Sequence, residues 1–313
     1  MSCVTEYAKG VYGVDANYEG PGLASGFILR SGKETAIIET AHNGSLPYMQ
    51  RALEELGIKA AEVKFICLTH VHLDHAGGAG SYMRFFREAK LVVHSRGRRH
   101  MADPTKLIEG VRAVYGVEET ARLYGEVLPV PEERILSPHD DDVLELGSMR
   151  LRVLETPGHA KHHLAFFEET GGTLFAGDAF GVSYSWMRGG SSPWVLPTSS
   201  PVQFDPQATR ETLARLVALA PKTLLLTHFG ALSEKEIPAA GEALSSQTEA
   251  AVALTVKEKG KKDKIKEELI KLYEAEIKAH GITRMPAPLC EALAVDLELN
   301  AQGLACWYES SKS

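Results

Sequence analysis

The residues best suited to chemistry in this 313-residue chain lie at positions 69–80, Thr-His-Val-His-Leu-Asp-His-Ala-Gly-Gly-Ala-Gly. Three histidines and an aspartate fall within six positions there. Imidazole nitrogen and carboxylate oxygen are ligands that first-row divalent metals favour. The whole chain holds only 12 histidines, so composition alone does not account for the cluster. His70, His72, Asp74 and His75 therefore read as part of a metal site. Neither a regular helix nor a regular strand turns all four side chains the same way, so the segment is expected to be a loop.

The elements around it must aim that loop. Residues 63–68, Val-Lys-Phe-Ile-Cys-Leu, form a short apolar run that reads as a buried strand. Upstream, 25–30 and 35–39 read as two strands joined by the turn chemistry of Ser31-Gly32-Lys33-Glu34. Ser45 is placed to cap a helix running to Leu56, with Gly57 ending it. Downstream, 91–93 reads as a strand, and 104–126 as helical and amphipathic, bounded by Pro104 and Pro129. A second strand-rich stretch begins near Val143. Residues 149–154 alternate until Thr156-Pro157-Gly158-His159 breaks them. Strands at 164–167 and 173–176 follow, the second running into Gly177-Asp178. A long Gly-, Ser-, Pro- and Trp-rich loop spans 181–205, the kind that walls a site. After a helix at 208–219, a strand at 223–226 ends in Thr227-His228-Phe229-Gly230. His70, His159, Asp178 and His228 thus all stand just past a strand end, which is how sheet proteins gather a site along one rim.

His-x-His-x-Asp-His, Thr-Pro-Gly-His, Gly-Asp and Thr-His-Phe-Gly, in that order, resemble the metallo-β-lactamase fold superfamily over roughly residues 5–235. The resemblance implies an α/β fold, a four-layer αββα sandwich with a binuclear centre on one edge. It implies that His70, His72 and His159 hold one metal, that Asp74, His75 and His228 hold the other, and that Asp178 bridges them. Two such cations lower the pKa of a bridging water from about 15.7 to roughly 7. They also polarise a carbonyl or phosphoryl oxygen. Asp74 has two readings: a catalytic group that orients the hydroxide and takes its proton, or a pure ligand. His75, with no cysteine at 178, departs from Cys-ligand β-lactamases and looks like the glyoxalase II, lactonase and phosphodiesterase branches. His72 stands where flavodiiron-type reductases carry glutamate. Zn is the leading expectation for the two divalent ions, with Fe or Mn as alternatives.

Several further residues carry weaker expectations. His163 is read as supporting or packing, and His162 as an exposed neighbour. Tyr184 and Trp186 are candidates to line the substrate pocket. Glu39-Thr40 stands where the family commonly has Asp-Thr near the site floor. His94, Arg96, Arg98, Arg99 and His100 offer either an anion site or a solvated face. Lys257 to Lys266 reads as a solvated helix surface and does not reproduce the arginine and lysine pattern by which glyoxalase II enzymes hold glutathione.

A net charge of −7 argues against a nucleic-acid surface or an acidic membrane as partner. Four scattered cysteines, no signal-peptide pattern and no run of about 18 apolar residues lead to the expectation of a cytoplasmic protein. The domain reading is a catalytic region at 1–235 and a helical C-terminal extension at 236–313. Residues 243–279 read as one long Lys/Glu-rich helix. Leu293, Val295, Leu297, Leu299 and Leu304 offer apolar surface through which two chains would pair as a homodimer. The leading function is a binuclear hydrolase in which the metal-bridging hydroxide attacks a small thioester, lactone or other carboxylic ester. The alternatives are a phosphodiesterase, a mononuclear-iron sulfur dioxygenase and a metal-binding module without turnover.

Overall fold

The structure, a computed structural model, describes residues 2–190 and 192–312. The chain divides into two units, Met1–Glu155 with His162–Gly177, and Thr156–Lys161 with Asp178–Ser313.

The first unit opens with four antiparallel strands, β1 (Val4–Ala8), β2 (Val11–Asp15), β3 (Ser25–Ser31) and β4 (Glu34–Ile38). The β3–β4 hairpin turns at Gly32, φ +62°, a conformation that glycine adopts without a Cβ clash. Helix α1 (Leu46–Glu55) leads to β5 (Val63–Cys67), which joins β4 in parallel. Helices α2 (Leu73–Ala76) and α3 (Ala79–Phe85) then lead to β6 (Lys90–Val92). Helices α4 (Ser95–Ala102), α5 (Thr105–Tyr115) and α6 (Val117–Tyr124) precede β7 (Ile135–Leu136). Strands β5, β6 and β7 run parallel. The rest of the unit is antiparallel: β8 (Val143–Leu146), β9 (Met149–Glu155), β10 (Leu164–Glu168) and β11 (Thr173–Phe175).

Burial follows the role of each strand. β3 is buried at six of seven positions, as a strand covered on both faces should be, whereas β9 alternates along most of its length. Ile28, Ile37, Ile66 and Leu68 pack with Met49 and Leu53 of α1 and with Tyr82 and Met83 of α3. Phe27 meets Phe175 edge-on at 5.5 Å, which ties the first sheet to the second.

Two local expectations are corrected by the packed chain. Ser45 does not cap α1 with its side chain. Its hydroxyl instead donates to the Thr40 carbonyl and bonds the Tyr82 hydroxyl, because buried partners are within its reach. The helical stretch expected over 104–126 is divided into two helices, α5 and α6. They part at Gly116, whose φ of +83° cannot continue a helix.

The second unit carries α7 (Pro206–Ala218), which starts as the sequence chemistry dictates. The Asp205 carboxylate accepts the Gln207 and Ala208 backbone N–H groups at 3.0 and 3.1 Å, and Pro206 fills the first turn. The hairpin β12 (Thr223–Leu225) and β13 (Ala231–Ser233) follows. Four helices complete the unit: α8 (Ile237–Lys257), α9 (Lys262–Ala279), α10 (Leu289–Ala292) and α11 (Ala294–Ser310). The one long helix expected over 243–279 is therefore α8 and α9. It breaks at Gly260, φ +71°, where a Cβ would stand 2.4 Å from the Tyr308 ring.

The core of this unit gathers Trp194, Tyr273 and Leu269 with Leu293, Leu297 and Leu304. The apolar surface expected to pair two chains is thus largely spent inside one chain, and of that set only Val295 is strongly exposed, at 50%. Glu298 of α11 binds Lys262 and Lys266 of α9 at 2.6 and 2.8 Å, contacts that hold its carboxyl down at about 2. Among the described residues no helix is long and apolar enough to cross a membrane.

Helix α11 also fixes the long loop. The Asn300 carboxamide accepts the Ser199 N–H at 2.7 Å and donates to the Pro197 carbonyl and the Tyr273 hydroxyl, each at 3.1 Å. Gly303 lets the loop lie against the helix, since a Cβ there would fall 1.6 Å from the Ser199 carbonyl oxygen. Gly303→Ala should therefore destabilise the protein by about 1–3 kcal/mol in denaturant unfolding. Gly110→Ala on α5, with nothing within 4 Å of the new methyl, should be neutral or stabilising. Equal midpoints for the two variants would contradict this packing.

Candidate metal centre

In the first unit the chain leaves β5 at Cys67 and reaches His72 in an extended conformation (φ −61°, ψ 146°). It then enters the helical turn α2, so Asp74 and His75 are helical and not in a loop as expected. The change of backbone conformation between His72 and Leu73 does what a single regular element cannot. It lets His70, His72 and His75 gather although their spacings differ. Two glycines make the return possible: a Cβ on Gly77 would meet the Leu73 carbonyl at 2.4 Å, and one on Gly78 the Thr40 carbonyl at 2.6 Å.

The four side chains come together. His70 Nε2 lies 2.9 Å from His72 Nδ1, and the His70 and His75 rings stand 4.0 Å apart. Donor atoms of His70 with His72, of His70 with His75, and of Asp74 with His75 lie within 4.8 Å. His70 and His75 are fully buried, while the Asp74 side chain keeps 27% of its surface exposed. His70 and His75 each have a partner on the far side that orients the ring. Thr69 Oγ1 sits 3.1 Å from His70 Nδ1, and the buried Glu39 Oε1 lies 3.4 Å from His75 Nδ1. Glu39 Oε1 also accepts the Thr69 N–H at 3.2 Å, from a backbone held at φ +68°. The Glu39-Thr40 position is thus a real support: Thr40 adds two hydrogen bonds at 2.9 Å to the His75 carbonyl.

The second unit assembles the other three residues. The Thr156-Pro157-Gly158-His159 turn is pinned from outside. The Pro157 carbonyl accepts Thr212 Oγ1 at 2.6 Å, the Gly158 carbonyl accepts the Asp205 N–H at 2.8 Å, and the His159 carbonyl accepts Ser200 Oγ at 3.0 Å. Gly158, φ +136°, is required, because a Cβ there would stand 2.5–2.7 Å from Thr209. The Asp178 carboxylate turns Oδ2 toward His159 Nε2 at 3.6 Å and Oδ1 toward His228 Nε2 at 3.8 Å. All three side chains are at least nine-tenths buried.

The donor chemistry fits divalent metal in each set. Two nitrogens on one tetrahedral ion at 2.0–2.1 Å would stand about 3.3 Å apart, close to the His70–His72 spacing. A carboxylate facing a different imidazole with each oxygen is disposed to serve two ions.

The neighbouring residues divide between support and structure. His163 stacks on His70 at 4.9 Å. His162 is not an exposed neighbour but buried, edge-on to His72 at 5.7 Å. Burial, then the nearby His72, His100 and His94, pushes its imidazole down to about 3. Arg98 donates to the Ile135 and Glu132 carbonyls, and His94 Nδ1 accepts the Arg96 N–H at the start of α4. Both are therefore committed to structure. Tyr184 stands edge-on to His228 at 6.4 Å, whereas the Trp186 ring packs against Trp194 in the helical core. Sequence reasoning missed Asp296, whose Oδ1 accepts the Tyr184 hydroxyl at 3.1 Å. Nothing in the local sequence marks a pair 112 residues apart.

The sequence profile of the metallo-beta-lactamase superfamily matches residues 20–228. The metallo-beta-lactamase fold-containing protein ST1585 of Sulfurisphaera tokodaii is 27% identical over 232 residues, covering 72% of this chain and 81% of that one. The crystal structure of ST1585 superposes with a TM-score of 0.67 over 94% of this chain and 98% of that chain, at 23% identity. The metallo-beta-lactamase family protein TTHA1429 from Thermus thermophilus gives a TM-score of 0.65 over 98% and 95%, at 24% identity. The hydroxyacylglutathione hydrolase GloC of Haemophilus influenzae is 26% identical over 158 residues, covering 47% of this chain and 61% of its own length. The expected α/β sandwich with added C-terminal helices is the fold found, and the chain belongs to the metallo-beta-lactamase superfamily.

Proposed function

We propose that this protein is a binuclear metal-dependent hydrolase of a small thioester, lactone or other carboxylic ester. In this reading His70, His72 and His159 hold one divalent ion, Asp74, His75 and His228 hold the other, and Asp178 serves both. The observation that carries the reading is the Asp178 carboxylate, which offers one oxygen toward His159 and the other toward His228. Superfamily membership supports the hydrolase class, and a relative that is a hydroxyacylglutathione hydrolase supports an acyl substrate. The net charge of −7 gives no support to a polynucleotide substrate.

Divalent ions bound there would acidify water and polarise the substrate carbonyl. The chain's own groups supply the rest. The Asp74 side chain keeps 27% of its surface exposed, and in this reading it takes the proton of the attacking water. Glu39 and Thr69 keep His75 and His70 in fixed orientation, so their donor nitrogens need no reorganisation during turnover. Tyr184 meets the substrate, and Trp186 backs the same loop from the core. Zn is the ion proposed first, with Fe or Mn set by supply.

Elemental analysis and a substrate panel on the same sample test the proposal. Two divalent ions per chain and faster turnover of thioesters or lactones than of phosphodiesters are expected. One iron per chain with oxygen uptake on a persulfide would replace it with a dioxygenase. His72→Ala should lower metal content and reduce turnover by more than about 10²-fold, beyond the effect typical of an outer partner, with the circular dichroism unchanged. Full turnover in that variant would remove His72 from the ligand set.

A further inference from the structure

Helix α11 carries an acid whose surroundings do not explain it. Asp296 lies in the first turn of α11, partly buried, and its Oδ1 accepts the Tyr184 hydroxyl at 3.1 Å. Tyr184 in turn stands edge-on to His228. Asp296 is thus linked through one phenol hydroxyl to the ring that faces His228. Two residues further on, Glu298 is met by Lys262 and Lys266. No lysine or arginine among the described residues pairs with Asp296.

A first-turn carboxylate gains from the helix dipole, by about 2 kcal/mol at most where it is partly buried. Burial adds a desolvation cost that one phenol does not repay. That burial pushes the Asp296 carboxyl up to about 6, against the pull of the Tyr184 hydroxyl and of His228. A carboxyl held at such a cost, one hydrogen bond from the ring that faces His228, is a candidate site residue.

We infer that Asp296 is a specificity-determining residue that accepts a hydrogen bond from a hydroxyl or amide N–H on the acyl part of the substrate. The inference rests on the hydrolase reading for the location of the reacting carbonyl. Tyr184 is the positioning residue: its proton goes to Oδ1 and fixes the carboxylate plane. Oδ2 carries no hydrogen bond from another side chain among the described residues. A neutral donor suits the carboxylate better than an ammonium, because dications held by His228 and Asp178 would repel a cationic group. A site built to satisfy a donor rejects the analogue that lacks it, since the acceptor is then left buried and unpaired.

Matched thioesters of one thiol test this on the metal-loaded full chain: 2-hydroxypropanoyl against propanoyl, and 3-hydroxybutanoyl against butanoyl. The native protein should prefer one hydroxyacyl member by about tenfold or more in kcat/KM. Asp296→Ala should cut that preference to within about twofold. Asp296→Asn, which keeps an acceptor oxygen, should restore part of it, and Tyr184→Phe should weaken it through KM more than kcat. Folded Asp296→Ala that keeps the full preference would overturn the inference. Calorimetric binding of the corresponding non-hydrolysable amides separates the two readings. Asp296-dependent preference for the hydroxyacyl amide without turnover of any ester would refute the hydrolase and keep the recognition. Turnover with equal binding of both amides would do the reverse.

Discussion

Imidazole rings and carboxylates buried side by side impose the constraint that the rest of this molecule accommodates. His70, His72 and His75 stand ring against ring with nitrogens as close as 2.9 Å, and Asp178 is enclosed with His159 and His228. Taking such groups out of water is costly unless each has a defined partner. The surrounding sequence supplies partners on the far side of the ligands. Thr69 and Glu39 do so for the His70 and His75 rings, while Thr40 in the first unit and Thr212, Asp205 and Ser200 in the second pin the backbone carbonyls of the ligand segments. The fold is in this sense a frame that fixes the orientation of donor atoms before any ligand arrives.

The frame depends on close backbone approach. Gly77, Gly78 and Gly158 stand where a methyl group would meet backbone atoms at well under van der Waals distance. The C-terminal helices extend the same logic to the 181–205 loop, which Asn300 holds through the Ser199 N–H and the Pro197 carbonyl and Gly303 admits against α11. This extension is therefore a part of the loop's support and not an independent appendage. It also contributes Asp296, an acid of α11 that bonds Tyr184 of that loop.

The metal motif was legible because its information is local: ligand types, their spacing and their position after apolar strands all lie within short windows. The β3–β4 hairpin and the β5 strand were legible for the same reason. Positions where one residue permits two outcomes were not. Gly116 and Gly260 sit inside amphipathic patterns that read equally well as one helix or two, and only the packed chain selects φ > 0. Ser45 had a good local signal for a cap, but Thr40 and Tyr82 offered buried partners whose proximity the sequence does not reveal. The leucines of α11 showed apolar excess without showing whether it is buried within a chain or between chains. His162 looked like a neighbour of ligands, and only the rings of His70 and His72 around it reveal that it is enclosed.

The central claim is that ligands from widely separated stretches grip one pair of cations. Anomalous diffraction at the metal edge, on crystals of metal-loaded protein, tests it most directly. The account predicts two peaks, one ringed by His70, His72 and His159, the other by Asp74, His75 and His228, with Asp178 reaching both. Metal held by the residues of the 70–75 segment alone, or by none of these seven, would contradict it.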